Sequence, residues 1–380
     1  MSRNLASRAL LCALPLVLVA CATPVQTVET QPSAGTSTTV PAGPPAPPAV
    51  SNAQPIAVAV PEFVRTTSAK YDVDAAYVGS VMAKAQMRES IVSAMSRPAE
   101  AKPWKDYRPI FITQPRITAG KAFLAKHRTA LAKVEAQYGV PAEIIVAIIG
   151  VETSYGGNTG SYPVVDALYT LAFAYPRTNQ PGKIERENMR EQFFRNELAQ
   201  LFALGRETGF DITTLKGSYA GAMGWGQFMP SSYRDYAVDG NGDGKVDLFN
   251  NLDDVFASVA NYFVKKGGWV RGGPVAARAV RAKGAAAFEP EGLEPRYALD
   301  QLAARGYQTK APVSGAGNAT LLNLEGVNGP EYWLGYQNFY AITRYNISKH
   351  YAMAVYQLSE AIAGRENPLA AVPAAGRPGA

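Results

Sequence analysis

The sequence predicts a mainly α protein, with a helical body, an additional helical region and one small β-containing insertion. Three observations carry this. From about Pro61 to Ala363, long stretches repeat their apolar residues at helical spacing. Between about 270 and 324 that texture gives way to Gly, Pro and short apolar runs. Hydrophobic residues make up 47% of the 380 residues and charged residues 18%, enough apolar material for a real core and too much for a disordered chain.

Taken in order, the chain opens with a secretion-signal pattern. Arg3 and Arg8 form a positive n-region, and residues 9–20 form an apolar run too short to span a bilayer. Leu18-Val19-Ala20-Cys21 follows. These four residues resemble the lipobox of bacterial lipoproteins, which implies a signal peptide at 1–20 and lipidation of Cys21. Several acyl chains anchor a protein firmly where one holds it only marginally. A plain signal with a chance Cys is the other reading. Ala22, not Asp, comes next. By the sorting pattern of such lipoproteins this implies the outer membrane, with the protein facing the periplasm. Residues 21–60 are rich in Pro, Ala and Thr, so they are expected to form an extended tether. Residues 364–380 are of similar composition and are expected to be a disordered tail.

Within the body, Ile117 to Tyr138 reads as one amphipathic helix, ended by Gly139-Val140-Pro141. Pro141 to Tyr155 is apolar nearly all round, so it is expected to be a buried helix. Ile145, Ile148, Ile149 and Glu152 fall on one stripe, and Gly156-Gly157 end the helix just beyond them. Glu152 therefore stands in the last turn, beside isoleucines and at the negative end of the dipole. Both disfavour an ionised carboxyl, which suits a general acid. The same pattern fits a carboxylate that simply leaves the helix end for water. Asp166 opens the next helical stretch and reads as an N-cap. Asn188 to Leu204, Leu252 to Lys266 and Ser348 to Ala363 are further amphipathic helices. Within the insertion, Ala311-Pro312-Val313 and Leu321 to Leu324 are the short apolar runs, and a helix is expected near Ala298 to Ala304.

Two segments stand out for chemistry. Ser218 to Tyr233 crowds Gly, Ala and Ser around Trp225 and Gln227. Small residues permit close approach to a bulky ligand, and Trp225 and Tyr219 offer flat faces of the kind that suit sugar rings. A Gly/Ala-rich core contact would read the same way. Asp239-Gly240-Asn241-Gly242-Asp243-Gly244-Lys245 reads as the front of an EF-hand loop, with oxygen donors at positions 1, 3 and 5, Gly at 6 and the Lys245 carbonyl at 7. Position 12 is Asn250, not a bidentate Glu. A cluster of Asx-Gly turns without an ion is the alternative.

Composition also excludes function classes. Cys12 and Cys21 are the only cysteines, and His127 and His350 the only histidines. A disulfide framework, a Cys- or His-built metal centre and a Ser-His-Asp triad therefore lack material. The formal charge of +6 at pH 7 is mild, and gives no reason to expect nucleic acid as a partner.

Ile149-Gly150-Val151-Glu152-Thr153-Ser154-Tyr155-Gly156 resembles the catalytic segment of the membrane-bound lytic murein transglycosylase B family. Asp166-Ala167-Leu168, Phe173 to Arg177, Gly217 to Tyr233 and Asn338 to Asn346 continue the likeness in order, over about residues 61–363. The resemblance implies a lysozyme-like catalytic core and cleavage of peptidoglycan glycan strands between N-acetylmuramic acid (MurNAc) and N-acetylglucosamine (GlcNAc), leaving 1,6-anhydro ends. It makes Glu152 the catalytic residue. It places Ser218, Gln227, Tyr345, Asn346 and Tyr351 on the saccharide groove, with Tyr345 orienting Glu152 or stabilising positive charge; Trp225 joins the candidates for its flat ring alone. It also implies a longer ion loop over 239–253, in which Asp253 joins Asp239, Asn241, Asp243 and Lys245 around a structural Ca²⁺; no organic cofactor is expected. Other cell-wall enzymes are conceivable partners. Two rivals remain at this level: a lysozyme-type hydrolase, and a non-catalytic murein-binding lipoprotein.

Overall fold

A computed structural model describes residues 54–96 and 102–365. The signal, Cys21, most of the tether and nearly all of the tail lie outside these residues. Fourteen helices and six short strands make up the described chain. α1 (Ile56–Tyr71), α2 (Ala75–Lys84), α3 (Glu89–Met95) and α4 (Trp104–Phe111) lead into α5 (Gln114–Lys126) and α6 (Arg128–Tyr138). The body thus begins before Pro61, which lies inside α1. Pro55 fixes the entry φ, and its carbonyl accepts the first helical N–H groups, from Val58 and Ala59.

The helix expected over 117–138 is broken at His127, where ψ turns to 19°. Neither Gly nor Pro marks the break. The His127 ring packs between Phe123 and Phe256, 4.5 and 5.6 Å away, so tertiary contact decides the position.

α7 (Ala142–Thr153) is the central helix, with Ile144 to Ile149 all at most 2% exposed. It packs against α5 and against α14 (Lys349–Ala363), which Ser348 caps through Tyr351 N–H. α8 (Val164–Phe173) lies along the long α9 (Pro181–Thr208), followed by α10 (Pro230–Tyr236) and α11 (Leu252–Lys265). A two-stranded ribbon, β1 (Tyr162–Pro163) with β2 (Lys216–Gly217), closes the segment between them. Asp166 is not the cap of α8, since Pro163 holds that position. Its carboxylate instead accepts the Gln86 N–H and pairs with Arg88, tying α8 to the stretch after α2.

The insertion forms a four-stranded antiparallel sheet in the order β4-β3-β6-β5, from β3 (Ala276–Arg281), β4 (Tyr307–Thr309), β5 (Thr320–Gly326) and β6 (Gly329–Gly335). α12 (Leu299–Ala304) stands where the helix was expected, and α13 (Gln337–Thr343) leaves the sheet. The sheet runs to Gly335 rather than ending near 324, and no strand forms at 311–313. Gly329-Pro330 hid β6 from a sequence reading. Pro330 is tolerated because β3 pairs only with residues 332–335, so this end of β6 has a neighbour on one side alone. Alternation splits β5 between two cores: Leu322 and Leu324 join the main one, Leu321 a small one with Leu302, Tyr307 and Leu334.

Candidate active site

The site is built from the end of α7 outward. Its stripe of Ile145, Ile148 and Ile149 is fully buried, and Glu152, one turn on, is partly exposed. Ser154, Tyr155 and Gly156 then adopt left-handed φ of 52°, 60° and 82°, which stops the helix abruptly. Such backbone is costly for non-Gly residues and is kept where the surroundings hold it. Here Tyr155 donates its hydroxyl to the Arg116 carbonyl at 2.9 Å, and Arg116 donates to Ser154 Oγ at 3.0 Å. Gly156 is required twice over, since a Cβ there would lie 2.3 Å from the Trp225 ring.

Tyr351 in the first turn of α14 donates its hydroxyl to Glu152 Oε1 at 2.5 Å. Burial first, and the Glu152 charge second, push the Tyr351 hydroxyl well above its ordinary pKa, so it stays protonated. Tyr345 has the same two influences in the same order, but its hydroxyl goes elsewhere, to the Gly226 carbonyl at 2.6 Å. The orienting contact expected of Tyr345 is therefore made by Tyr351. The Tyr345 ring lies against Phe228, Tyr262 and Phe263, and so fixes the loop that carries Gln227.

That loop folds back on itself. Met223 bridges Gly217 and Phe228, and Ala222 N–H donates to Ser218 Oγ at 3.1 Å. Gln227, at φ 50° and 9% exposed, donates its amide to the Thr159 and Gly224 carbonyls. Its Oε1 makes no hydrogen bond among the described residues. Trp225 is half-buried. Its ring covers Gly156 and meets Phe123, and its N–H donates to the Phe249 carbonyl at 3.0 Å. Asn346 is 1% exposed, and neither atom of its amide finds a protein partner. An orphaned buried amide is expensive.

Two contributors escaped the sequence reading. Thr153 Oγ1 lies 3.1 Å from the Trp225 carbonyl and accepts Gly156 N–H, joining the acid's helix to the Gln227 loop. Tyr107 of α4 is buried and lies 5.6 Å from the ring of His350, the residue before Tyr351. The spacing of Trp104, Tyr107 and Phe111 held that signal, but Pro109 inside the short helix obscured it.

In the loop after α10, Asp239 accepts N–H groups from Gly242, Asp243 and Gly244, which hold its carboxyl below the usual range. Asn241 and Asp243 bond to one another, and Lys245 N–H donates to Asp243. Asp254, beside Asp253, is fully buried and accepts N–H groups from Gly240 and Asp247 at 2.8 and 2.7 Å. The Asp253 carboxyl makes no such bond. Among the described residues, no three His, Cys, Asp or Glu side chains are gathered around a point as metal ligands. The oxygen donors nonetheless suit a hard cation in kind.

The end of a buried helix thus presents a carboxyl held by a tyrosine from a helix 199 positions further on. Residues 57–360 match the family described as Transglycosylase SLT domain. The chain is 41% identical over 312 residues to membrane-bound lytic murein transglycosylase B of Escherichia coli (strain K12), spanning 80% of this chain and 82% of the relative. It superposes on lytic transglycosylase SltB1 from Pseudomonas aeruginosa with TM-score 0.73 and 46% identity, over 81% of this chain and 98% of that one. The Escherichia coli lytic transglycosylase Slt35 in complex with calcium gives 0.69 and 40%, over 80% and 92%. SltB3 from Pseudomonas aeruginosa in complex with NAG-NAM-pentapeptide gives 0.67 and 31%, over 81% of each. The chain belongs to the SLT-domain lytic transglycosylase family. It is a peptidoglycan lytic transglycosylase with a lysozyme-like core.

Proposed function

We propose that Glu152 serves as the single acid and base of the reaction. The supporting observation is the 2.5 Å hydrogen bond that the Tyr351 hydroxyl donates to Glu152. Glu152 donates its proton to the oxygen bridging MurNAc and GlcNAc, and the bond from C1 of MurNAc to that oxygen breaks. The substrate's 2-acetamido oxygen stabilises the sugar cation. Glu152, now a carboxylate, takes the proton of the C6 hydroxyl of the same muramic residue. That oxygen bonds to C1 and closes the 1,6-anhydro ring. No water is consumed, and the nucleophile has the proximity of a unimolecular step.

On this reading Tyr351 holds the Glu152 carboxyl, while Gln227 Oε1, the Asn346 amide and Ser218 meet substrate hydroxyls and acetamido groups. Tyr345 and Trp225 hold the groove's shape. Asp239, Asn241, Asp243, Asp253 and the Lys245 carbonyl bind Ca²⁺ as a structural ion, a reading supported by the calcium complex of Slt35. Cys21 carries the lipid, the protein sits on the outer membrane facing the periplasm, and the segment before Ile56 spans from anchor to body. The membrane-bound relative of Escherichia coli supports that placement.

Mass spectrometry of sacculi digested by the protein and by Glu152→Gln tests the reaction. Anhydro products one water lighter than hydrolytic ones, lost with the substitution, are expected. Reducing-end products would replace the single-acid scheme by a hydrolytic one.

A further inference from the structure

Away from the cleft, α2 and the turn after α9 enclose an open cavity of about 410 Å³. That size is within the range of small-ligand sites. One face of α2 lines it with Tyr77, Ser80 and Lys84, and the turn adds Phe210, Asp211 and Thr213. The charges are of both signs and neither is spent on the other. Lys84 makes no hydrogen bond or ion pair among the described residues. Asp211 Oδ1 accepts the N–H and the hydroxyl of Thr213 at 3.0 and 2.6 Å, which fixes the carboxylate and leaves Oδ2 without a hydrogen bond. Those bonds hold the Asp211 carboxyl below its usual range, and its charge reaches Tyr77. An ammonium and a fixed carboxylate around aromatic walls complement a ligand carrying a carboxylate and an ammonium of its own.

The cavity is also close to the groove along the chain. Thr213 precedes Ser218 by five residues, so the two are no more than ~18 Å apart. An extended peptide of four or five residues spans a similar ~15 Å. We propose that this cavity binds the zwitterionic end of a short peptide, the stem peptide carried by a muramic residue in the groove. The proposal rests on the lytic reading above for the identity of the polymer, but not for the chemistry of the cavity.

The test titrates the full protein with a free tripeptide ending in diaminopimelate, beside Lys84→Ala and Asp211→Asn. Asparagine keeps the acceptor for Thr213, so the turn is retained. Each substitution is expected to weaken tripeptide binding about tenfold, the usual loss for one charge-assisted contact. Each is also expected to raise KM on intact sacculi, with cleavage of glycan strands stripped of peptide unchanged. Binding that depends on both residues while KM stays constant would support the site but assign it to released peptides. No tripeptide binding, or binding indifferent to both substitutions, overturns the proposal. Should the protein cleave neither sacculi nor stripped strands, the lytic reading fails while the titration still reports on the cavity.

Discussion

Two glycine-rich loops of this protein share a composition and differ in what shapes them. The loop carrying Gln227 is crowded: a Cβ at Gly226 would lie 2.9 Å from the Tyr345 hydroxyl, and Gly156 opposite is pressed by Trp225. The loop after α10 is open. Gly242 and Gly244 have nothing within 4 Å of a would-be Cβ, and their φ values of 80° and 82° alone call for glycine. Packing holds the first loop, whereas the second is held by carboxylates accepting its own N–H groups. The difference teaches that the first loop has little freedom, while the shape of the second depends on charge.

The sharpest contrast comes from the acid itself. Glu152→Gln is expected to cut product formation by ~10²–10⁴-fold with the fold retained, read by anhydro-muropeptide release. Tyr351→Phe removes one hydrogen bond to that acid, and kcat is expected to fall about tenfold with KM nearly constant. Gly156→Ala combines left-handed φ with overpacking and should destabilise by about 2–4 kcal/mol in denaturant unfolding. Gly242→Ala meets only the φ penalty, about 1–2 kcal/mol, and equal losses at both positions would break the comparison. Calcium removal by a chelator should lower Tm by a few degrees, as loss of a modest ligand does, without changing product chemistry.

A buried carboxylate outside both loops supplies a pH test. Glu197 accepts from Ser231 N–H and Oγ at 2.9 and 2.6 Å, and burial raises its pKa to about 7. Its folded value stands above the unfolded one, so the stability it favours is full below the unfolded pKa of 4.5. That stability is lost as pH rises through about 7. Glu197→Gln should flatten the stability profile between those limits.

Local pattern determined much of this protein. The 3.6-residue period put Glu152 on a stripe with three isoleucines, and α7 buries those isoleucines while leaving the acid at the cleft. Ser348 and the Gly-Pro breaks likewise announced the helix ends, because capping and φ limits act within a few residues. What lay beyond the sequence depends on contacts between distant segments. Tyr351 meets Glu152 across 199 positions, and no spacing rule says that it, rather than Tyr345, would reach the acid. The break at His127, the wedging of Trp225 over Gly156 and the orphaned amide of Asn346 are of the same kind. Each follows from which side chains the packed helices bring together, and only the tertiary structure decides that.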